Sequence, residues 1–263
     1  MIDLLTITRE VKNIALEAGS FIRTERSAFD KNKIEKKHAH DYVSYVDRES
    51  ELLIVGKLRN LLPEAGFIAE EGSGTLQSEE YYWLVDPLDG TTNFIHGNAP
   101  YCVSIALRNR EELLVGVVYE ICRDELYWTC KGEPSFLNGQ PIQVSEVSEL
   151  TDAFIALGLP YNSDAYRPMA EMLMHKLYGR VGGLRVQGAA AVELCYVAAG
   201  RFDARIEAYL GPWDIAAGAL ILMNAGGRLT DFEGSDNYHS GYQVLATNGK
   251  LHQTLRDIVK NKR

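Results

Sequence analysis

The 263-residue sequence predicts a layered α/β fold, and three observations support this prediction. Helix-like and strand-like segments are intermingled along the chain and do not separate into two blocks. Two predicted helices, at residues 189–199 and 213–225, are apolar nearly all round, which is typical of helices enclosed between sheets. The composition, 46% hydrophobic and 24% charged, is ordinary for a folded domain with a sizeable core.

The first half predicts two helices followed by a series of strands. Apolar residues recur at three- and four-residue steps from Leu4 to Ile22, which predicts an amphipathic helix. A second helix is predicted at about 48–62, where Pro63 ends it. The polar run 30–41 between them has no periodicity, and we interpret it as a mobile surface loop. Short aromatic and β-branched segments predict strands at 67–69, 83–85, 103–107, 114–119 and 126–128.

In the second half, strands and helices alternate. Asn138-Gly139 indicates a tight turn. Gly200 ends the first apolar helix, whereas Pro212 opens the second and Gly226-Gly227 close it. Further elements are strands at 154–157, 202–206, 228–232 and 243–246, and a final amphipathic helix that begins near residue 251. We predict one domain, 1–263, with a subdivision between 147 and 148.

Charge and cysteine content exclude several classes of function. The formal net charge of −9 argues against nucleic acid or a membrane as the main partner, because both require a basic surface. An acidic protein still binds an anionic substrate when bound cations invert the local field. The four cysteines lack zinc-site spacing, which predicts reduced core residues. Without a secretory signal pattern or an apolar stretch of membrane length, the chain is expected to be cytoplasmic.

Two acids three residues apart follow the predicted strand at 83–85. Pro87 fixes its own φ and turns the chain, so Asp86 and Asp89 can face one point. Carboxylates and a turn carbonyl, here that of Leu88, are the hard oxygen ligands that Mg²⁺ prefers. The segment therefore predicts a metal site.

The residues after these acids predict a phosphate site beside the metal. Gly90 allows the backbone to approach a ligand closely, and the amides of Gly90, Thr91 and Thr92 at a helix N-terminus would bind an anion. The alternative is that Asp89-Gly90 is only a turn and that Asp86 only caps the helix.

Two further acidic positions strengthen the metal interpretation. Glu70-Glu71 follows the strand at 67–69, where the alternative is a solvated loop. Asp214 lies in the first turn of an apolar helix, where interaction with the helix dipole is a sufficient explanation. Together with Asp86 and Asp89, these residues place acids at three strand or helix ends, as a site for several metals requires.

These residues also match a known family. Trp-Leu-Val-Asp-Pro-Leu-Asp-Gly-Thr-Thr-Asn-Phe-Ile-His at 83–96 resembles the first signature of the inositol monophosphatases. Trp-Asp-Ile-Ala-Ala-Gly at 213–218, with Ala-Gly-Gly at 225–227, resembles the second, and 68–72 and 136–140 follow in the expected order. The resemblance implies the layered α-β-α-β-α sandwich of the inositol monophosphatases and fructose-1,6-bisphosphatases. Residues 1–147 would form its metal- and phosphate-binding half, and 148–263 its substrate-pocket half.

The resemblance implies two or three Mg²⁺ ions per subunit. Glu70, Asp86 and the Leu88 carbonyl would hold the first ion. Asp86, Asp89 and Asp214 would hold the second, and Glu70 also lies near a weaker third site. Hydrolysis would proceed by in-line attack of a metal-activated water on phosphorus, without a covalent enzyme intermediate.

The same resemblance assigns catalytic and substrate-binding residues. Thr91 and Asp47 would activate the water, with Glu70 as a further catalytic residue, although helix capping is the alternative for Asp47. Glu207 would accept hydrogen bonds from the alcohol, with a solvated strand end as the alternative. The implied substrate contacts are Gly90, Thr91, Gly188, Ala189, Ala190, Glu207 and Asp214. Arg185 and Arg205 would either orient the alcohol or form a subunit contact.

The favoured substrate is myo-inositol-1-phosphate or a related polyol phosphate. Alternatives in the same superfamily are fructose-1,6-bisphosphate, a 3′(2′),5′-bisphosphate nucleotide and histidinol phosphate. A third interpretation is a binding or regulatory protein that retains the fold without catalysis. Asn224 and Ala69 depart from the family pattern, which commonly has an acid and a glycine there, but neither is an inferred metal ligand. The resemblance also implies a homodimer.

Overall fold

The computed structural model describes residues 2–29, 34–38, 41–74, 80–160, 163–240 and 243–260. In these ranges the helices are α1 (Leu4–Ser27), α2 (Tyr45–Leu61), α3 (Thr91–His96), α4 (Ser163–Leu177), α5 (Ala190–Ala198), α6 (Pro212–Asn224) and α7 (His252–Lys260). The strands are β1 (Ile34–His38), β2 (Asp41–Ser44), β3 (Gly66–Ala69), β4 (Tyr81–Asp89), β5 (Cys102–Asn109), β6 (Leu113–Glu120), β7 (Glu125–Cys130), β8 (Phe136–Leu137), β9 (Gln140–Pro141), β10 (Phe154–Leu157), β11 (Gly183–Arg185), β12 (Ala204–Ala208), β13 (Arg228–Thr230) and β14 (Gln243–Thr247).

Helices and sheets form alternating layers, as predicted. A seven-stranded sheet has the order β3-β4-β5-β6-β7-β8-β9, and a five-stranded sheet has the order β11-β10-β12-β14-β13. Helices α1 and α2 cover the outer face of the first sheet, α5 and α6 lie between the sheets, and α4 and α7 cover the second. The fold is therefore the α-β-α-β-α sandwich.

The sequence pattern explains which helix occupies which layer. The buried residues of α1, among them Val11, Ala18 and Ile22, form one stripe, so this helix packs on one side only. By contrast, α5 is buried along its whole length and α6 along most of it, and both contribute to the core between the two sheets. Three apolar clusters fill the spaces between the layers.

The predicted loop at 30–41 is wrong where the structure describes it. Ile34–His38 pairs antiparallel with Asp41–Ser44, whereas residues 30–33 and 39–40 lie outside the described residues. Backbone pairing stabilises this hairpin, and its charged sequence shows no apolar alternation that would reveal a strand. The sequence pattern did not predict α4 or β11, and Pro168 lies inside α4.

Most other predicted elements are confirmed with small shifts of their ends. Helix α2 begins at Tyr45 and not near residue 48, because Ser44 and Asp47 form a capping box. The predicted turn at Asn138-Gly139 joins β8 to β9, and both residues have positive φ. The seven-stranded sheet lies before residue 147 and the five-stranded sheet after residue 148, but the division of the domain at that point stays a prediction.

Among the described residues, no helix combines the length and the apolar composition needed to cross a membrane.

Candidate active site

A bulge at the end of β4 brings the two central acids to one side of the sheet. Asp86 pairs with Ser104 and Asp89 with Cys102, so β4 contains one residue more than β5 between these pairs. In a regular strand, residues three apart face opposite sides. The extra residue cancels that alternation, and both carboxylates line one cavity of about 360 Å³.

Nearly all of the predicted site residues line this cavity. Among its lining residues are Glu70, Asp86, Leu88, Asp89, Gly90, Thr91, Gly188, Ala189, Ala190, Glu207 and Asp214. Asp47 is not part of the lining but contacts Thr91. The structure therefore brings together residues from both halves of the chain.

Asp86 is one of the buried acids of the group. Burial raises its pKa well above the usual value, and the negative charges of Glu70, Asp89 and Asp214 raise it further. A hydrogen bond with Asp214 adds to the effect, and Asp86 Oδ1 also accepts from the Leu88 amide at 2.9 Å. The neighbouring acids therefore favour the protonated form of Asp86.

Asp89 connects β4 to the start of α5. Its Oδ1 accepts from the Ala190 amide at 3.0 Å, and its Oδ2 accepts from the Ala191 amide at 2.7 Å. These hydrogen bonds and the charge of Arg205 lower the pKa of Asp89, but burial and the negative charge of Asp214 outweigh them and raise it. The predicted substrate contact Ala190 therefore also holds an acid of the site in place.

Glu70 lies just after β3, where the Glu70 amide donates to the Val85 carbonyl at 3.2 Å. Glu51 on α2, which the sequence analysis did not single out, holds the loop that follows. Its carboxylate accepts from the amides of Glu71 at 2.7 Å and Ser73 at 2.8 Å, and its side chain is fully buried. Glu51 thus fixes the backbone that carries Glu70.

Thr91 and Asp47 form a buried hydrogen-bonded pair. The Thr91 hydroxyl lies 2.8 Å from Asp47 Oδ1 and 3.0 Å from the Leu88 carbonyl, both of which can accept its proton. Asp47 Oδ2 accepts from the Ser44 amide and hydroxyl at 2.9 and 2.6 Å, so the residue caps α2 and also contacts Thr91. Burial raises the pKa of Asp47, while the hydrogen bonds from Ser44 and Thr91 oppose that rise.

Gly90 allows the two halves of the site to approach each other. Its φ is +88°, and a Cβ there would lie 3.0 Å from the Pro100 carbonyl oxygen and 3.2 Å from Ala189 Cβ. Asn93 bridges the same region, because its Nδ2 donates to the Pro100 carbonyl at 2.8 Å and to the Gln187 carbonyl at 2.7 Å.

Another part of the cavity wall contains a buried ion-paired group. Arg205 Nε donates to Glu193 Oε2 at 2.8 Å, and Arg205 Nη2 donates to Glu207. The Arg205 side chain is 1% exposed, which excludes the predicted subunit contact for this residue. Arg185 is exposed instead and lies over the Phe154 ring at 4.8 Å.

The lining residues determine what kind of ligand the cavity accepts. Six carboxylates line it, and none of the described lining residues is Lys, Arg or His. Among the described residues, no group of three or more acids, histidines or cysteines is already arranged as metal ligands. In the cavity, Asp89 and Asp214 instead accept hydrogen bonds from backbone amides. The donor set, carboxylates with raised pKa values beside a backbone carbonyl, fits a hard divalent cation.

Sequence reasoning missed Glu51 and Glu193, and it named Arg205 without its carboxylate partners. The available signal was the position of each: Glu193 interrupts an otherwise apolar helix, and Arg205 lies in a buried strand. Asn224, which departs from the family pattern, lies elsewhere. Its Nδ2 lies 2.9 to 3.1 Å from Thr129 Oγ1 and the carbonyls of Cys130 and Glu133, which places it in the protein framework.

Comparison with known proteins agrees with this architecture. The chain is 38% identical over 257 residues to "Nus factor SuhB" of Pseudomonas aeruginosa, covering 94% of this chain and 95% of the relative. It is 36% identical over 247 residues to "Inositol-1-monophosphatase" of Mesorhizobium japonicum, covering 94% and 93%. The crystal structure of extragenic suppressor protein suhB from Bartonella henselae superimposes with a TM-score of 0.92 at 33% identity, covering 97% and 99%. Because the family described as "Inositol monophosphatase family" also matches residues 3–263, the chain belongs to the inositol monophosphatase family.

Proposed function

We propose that this protein is a Mg²⁺-dependent phosphatase that hydrolyses myo-inositol-1-phosphate or a closely related polyol monophosphate. The observation that carries the proposal is the cavity lined by six carboxylates and no described basic residue, with the Thr91–Asp47 pair beside it. A phosphate dianion would be repelled from this lining unless divalent cations were bound with it. Family membership and the relatives named inositol-1-monophosphatase support the same substrate class.

The proposed metal ligands are Glu70, Asp86, the Leu88 carbonyl, Asp89 and Asp214. When bound, Mg²⁺ neutralises phosphate charge and lowers the pKa of the attacking water. A bound cation would offset the mutual repulsion of these acids and favour the ionised form of Asp86.

Thr91 and Asp47 are proposed to orient and deprotonate the attacking water. The Thr91 hydroxyl lies between Asp47 Oδ1 and the cavity, so it can accept a proton from water while donating its own to the carboxylate. Burial raises the pKa of Asp47, which makes this carboxylate a better proton acceptor. The Ser44 hydrogen bonds keep it oriented throughout.

The alcohol end of the substrate is proposed to lie against Glu207. Glycine and alanine at 188–190 leave space beside it, and Gly90 brings the phosphate side close. A neutral polyol can donate hydroxyl hydrogen bonds to this carboxylate, whereas the apolar residues at 159–160 and 210 offer no such partner.

The test is a panel of phosphate esters assayed with and without Mg²⁺. We expect Mg²⁺-dependent release of phosphate, with myo-inositol-1-phosphate preferred over fructose-1,6-bisphosphate, an adenosine 3′,5′-bisphosphate and histidinol phosphate. Asp89→Asn should abolish hydrolysis while the protein stays folded, because it removes one carboxylate of the metal set. Asp164→Asn, at an exposed acid on α4, is the matched control. Unchanged turnover in Asp89→Asn would refute the metal assignment.

Relatives named Nus factor SuhB favour a second candidate, a non-catalytic role on the same fold. A strain that lacks this protein, supplied with Asp89→Asn, separates the two. Recovery of the wild-type phenotype by the variant would assign the cellular role to the non-catalytic function, and failure would assign it to hydrolysis. A homodimer, a cytoplasmic location and the lack of a nucleic-acid partner stay predictions. The same strain and solution measurements of the purified protein can test them.

A further inference from the structure

A buried group of three charges forms part of the cavity wall. Arg205 and Glu207 lie two residues apart on β12, so their side chains leave the same face of the sheet. Glu193 comes from the neighbouring helix α5 and completes the group. Glu193 and Glu207 line the cavity, whereas the guanidinium lies behind them.

The Arg205 side chain is fixed on both sides. Its Nε donates to Glu193 Oε2 and its Nη2 donates to Glu207 Oε2, and its side chain is 1% exposed. A guanidinium keeps its charge at any relevant pH and presents its donors in a rigid plane. Gly158 confines Glu207 from the other side, because a Cβ at that glycine would overlap the Glu207 carboxyl carbon. Glu207 therefore has little rotational freedom.

This arrangement defines one acceptor for a ligand. Arg205 engages Oε2 of Glu207, and among the described residues no hydrogen bond reaches Oε1. The group carries two carboxylates and one guanidinium, so one negative charge remains in excess next to the cavity. Such a wall accepts hydrogen bonds from neutral hydroxyl groups and repels an anion.

The same arginine also connects the alcohol side to the phosphate side. Glu193 Oε1 accepts from the Gln187 amide at 3.1 Å and the Gly188 amide at 3.3 Å. The Gly188 carbonyl in turn lies close to Gly90, where a Cβ would be only 3.3 Å from that oxygen. Arg205 is thus linked through Glu193 to the Gly188 backbone that lies beside Gly90.

We propose that Arg205 is a positioning residue that fixes Glu207 as a hydroxyl acceptor, and that the Glu193–Arg205–Glu207 group selects polyol monophosphates over esters with a second anionic group. This inference rests on the proposed phosphatase function and deepens it. The rival explanation is an ion pair that only stabilises the fold, and removing one partner of such a buried pair also destabilises a protein.

The experiment compares three esters: myo-inositol-1-phosphate, 4-nitrophenyl phosphate, which has no hydroxyl group for Glu207, and fructose-1,6-bisphosphate, which has a second anionic group. In Arg205→Gln, kcat/KM for the inositol ester should fall about tenfold more than for the aryl ester, mainly through KM. Glu207→Gln should reduce the preference for the inositol ester over the bisphosphate by about tenfold, because the repelling charge is lost.

A double-mutant cycle separates positioning from stabilisation. If Arg205 acts through Glu207, combining Arg205→Gln with Glu207→Gln should cause no further loss of selectivity. The double variant should then distinguish the esters as well as the less selective of the two single variants does. A crystal structure of Arg205→Gln should show the Glu207 carboxylate displaced, which is a result independent of activity. Arg201→Gln is the matched control, since Arg201 makes a bidentate pair with Glu125 outside the cavity lining. Its selectivity ratios should stay within about twofold of those of the wild type.

Equal losses for the inositol and aryl esters, or additive effects in the cycle, would overturn the inference. If Arg205→Gln does not fold, Arg205→Lys, which keeps the charge without the rigid fork, and Glu207→Gln provide the same comparison. A wild-type protein that hydrolyses none of the esters with Mg²⁺ would overturn the proposed function and the inference together. Hydrolysis with unchanged selectivity in the variants would overturn the inference alone.

Discussion

Lowering the pH should destabilise the protein through His252, which lies at the start of α7 and is not part of the cavity lining. The side chain is 1% exposed, with Nε2 at 3.0 Å from Thr230 Oγ1 and Nδ1 at 3.0 Å from Thr247 Oγ1. Both partners are hydroxyl groups, which suit a neutral imidazole. Burial lowers the pKa of His252 to about 4, and the positive charges of Arg228 and Arg256 contribute.

The sign and size of the effect follow from these pKa values. A histidine whose pKa is lower in the folded than in the unfolded protein binds more protons when unfolded, so stability falls as the pH decreases. The contribution is complete above the unfolded pKa of 6.5 and is lost between 6.5 and about 4. Linkage predicts a loss of about 2 kcal/mol between pH 8 and pH 5, and of about 3 kcal/mol once the pH is below 4.

The assay is urea unfolding at pH 8, 7, 6 and 5, at constant Mg²⁺, for the wild type and His252→Gln. The variant should be less stable at pH 8, because glutamine does not reproduce both hydrogen bonds. Its stability should fall less steeply with acid, so the gap to the wild type should shrink by about 2 kcal/mol at pH 5. Titration of the site carboxylates affects both proteins and cancels in the difference.

His96→Gln, at an exposed histidine, serves as the control and should show the same pH dependence as the wild type. Parallel pH profiles for the wild type and His252→Gln would refute the reasoning, as would an NMR titration that places the pKa of His252 above 6.5.

Three further substitutions test the candidate site. Thr91→Val removes the hydroxyl that contacts Asp47 at 2.8 Å, so kcat should fall by about 100-fold or more with little change in KM. Steady-state kinetics at saturating Mg²⁺ measure both constants, and an unchanged kcat would exclude the proton-transfer role. Glu51→Gln weakens the hold on the loop after β3, so the Mg²⁺ concentration for half-maximal activity should rise about threefold or more; an identical Mg²⁺ titration would contradict it. Gly90→Ala adds a Cβ at φ +88° and 3.0 Å from a carbonyl oxygen, so the free energy of unfolding in urea should fall by about 2 to 4 kcal/mol. The control is Gly139→Ala, where φ is +80° but no atom lies near the added Cβ, and there the loss should be about 1 kcal/mol.

The sequence alone predicted the layered fold and the acids at the cavity. The apolar helices α5 and α6 could be recognised because burial on all sides leaves a continuous apolar pattern. Asp86 and Asp89 could be recognised because the strand, the proline and the glycine that position them are neighbours in the chain. Constraints between neighbouring residues can be recognised in a single sequence.

The β1–β2 hairpin and the Arg205 group were decided by the tertiary structure. The hairpin depends on backbone hydrogen bonds between strands, which any side-chain pattern can satisfy, so its charged sequence resembled a loop. For Arg205, the sequence left a choice between contact with the alcohol and contact with a second subunit. Only the packing of β12 against α5 buried its guanidinium between two carboxylates, because Glu193 and Arg205 lie twelve residues apart and meet through the turn between helix and strand.

Asp47 illustrates the same distinction within one residue. Its position three residues after Ser44 predicts helix capping, and the structure contains that capping box. Its second contact, with Thr91, joins residues 44 positions apart and exists because α2 packs beside the end of β4. The chain therefore specified by itself which acids meet at the β4 turn and which helices are enclosed, since these depend on neighbouring residues. Which buried charges hold those acids and surround Glu207 depended on contacts between distant segments, which only the folded protein brings within hydrogen-bonding distance.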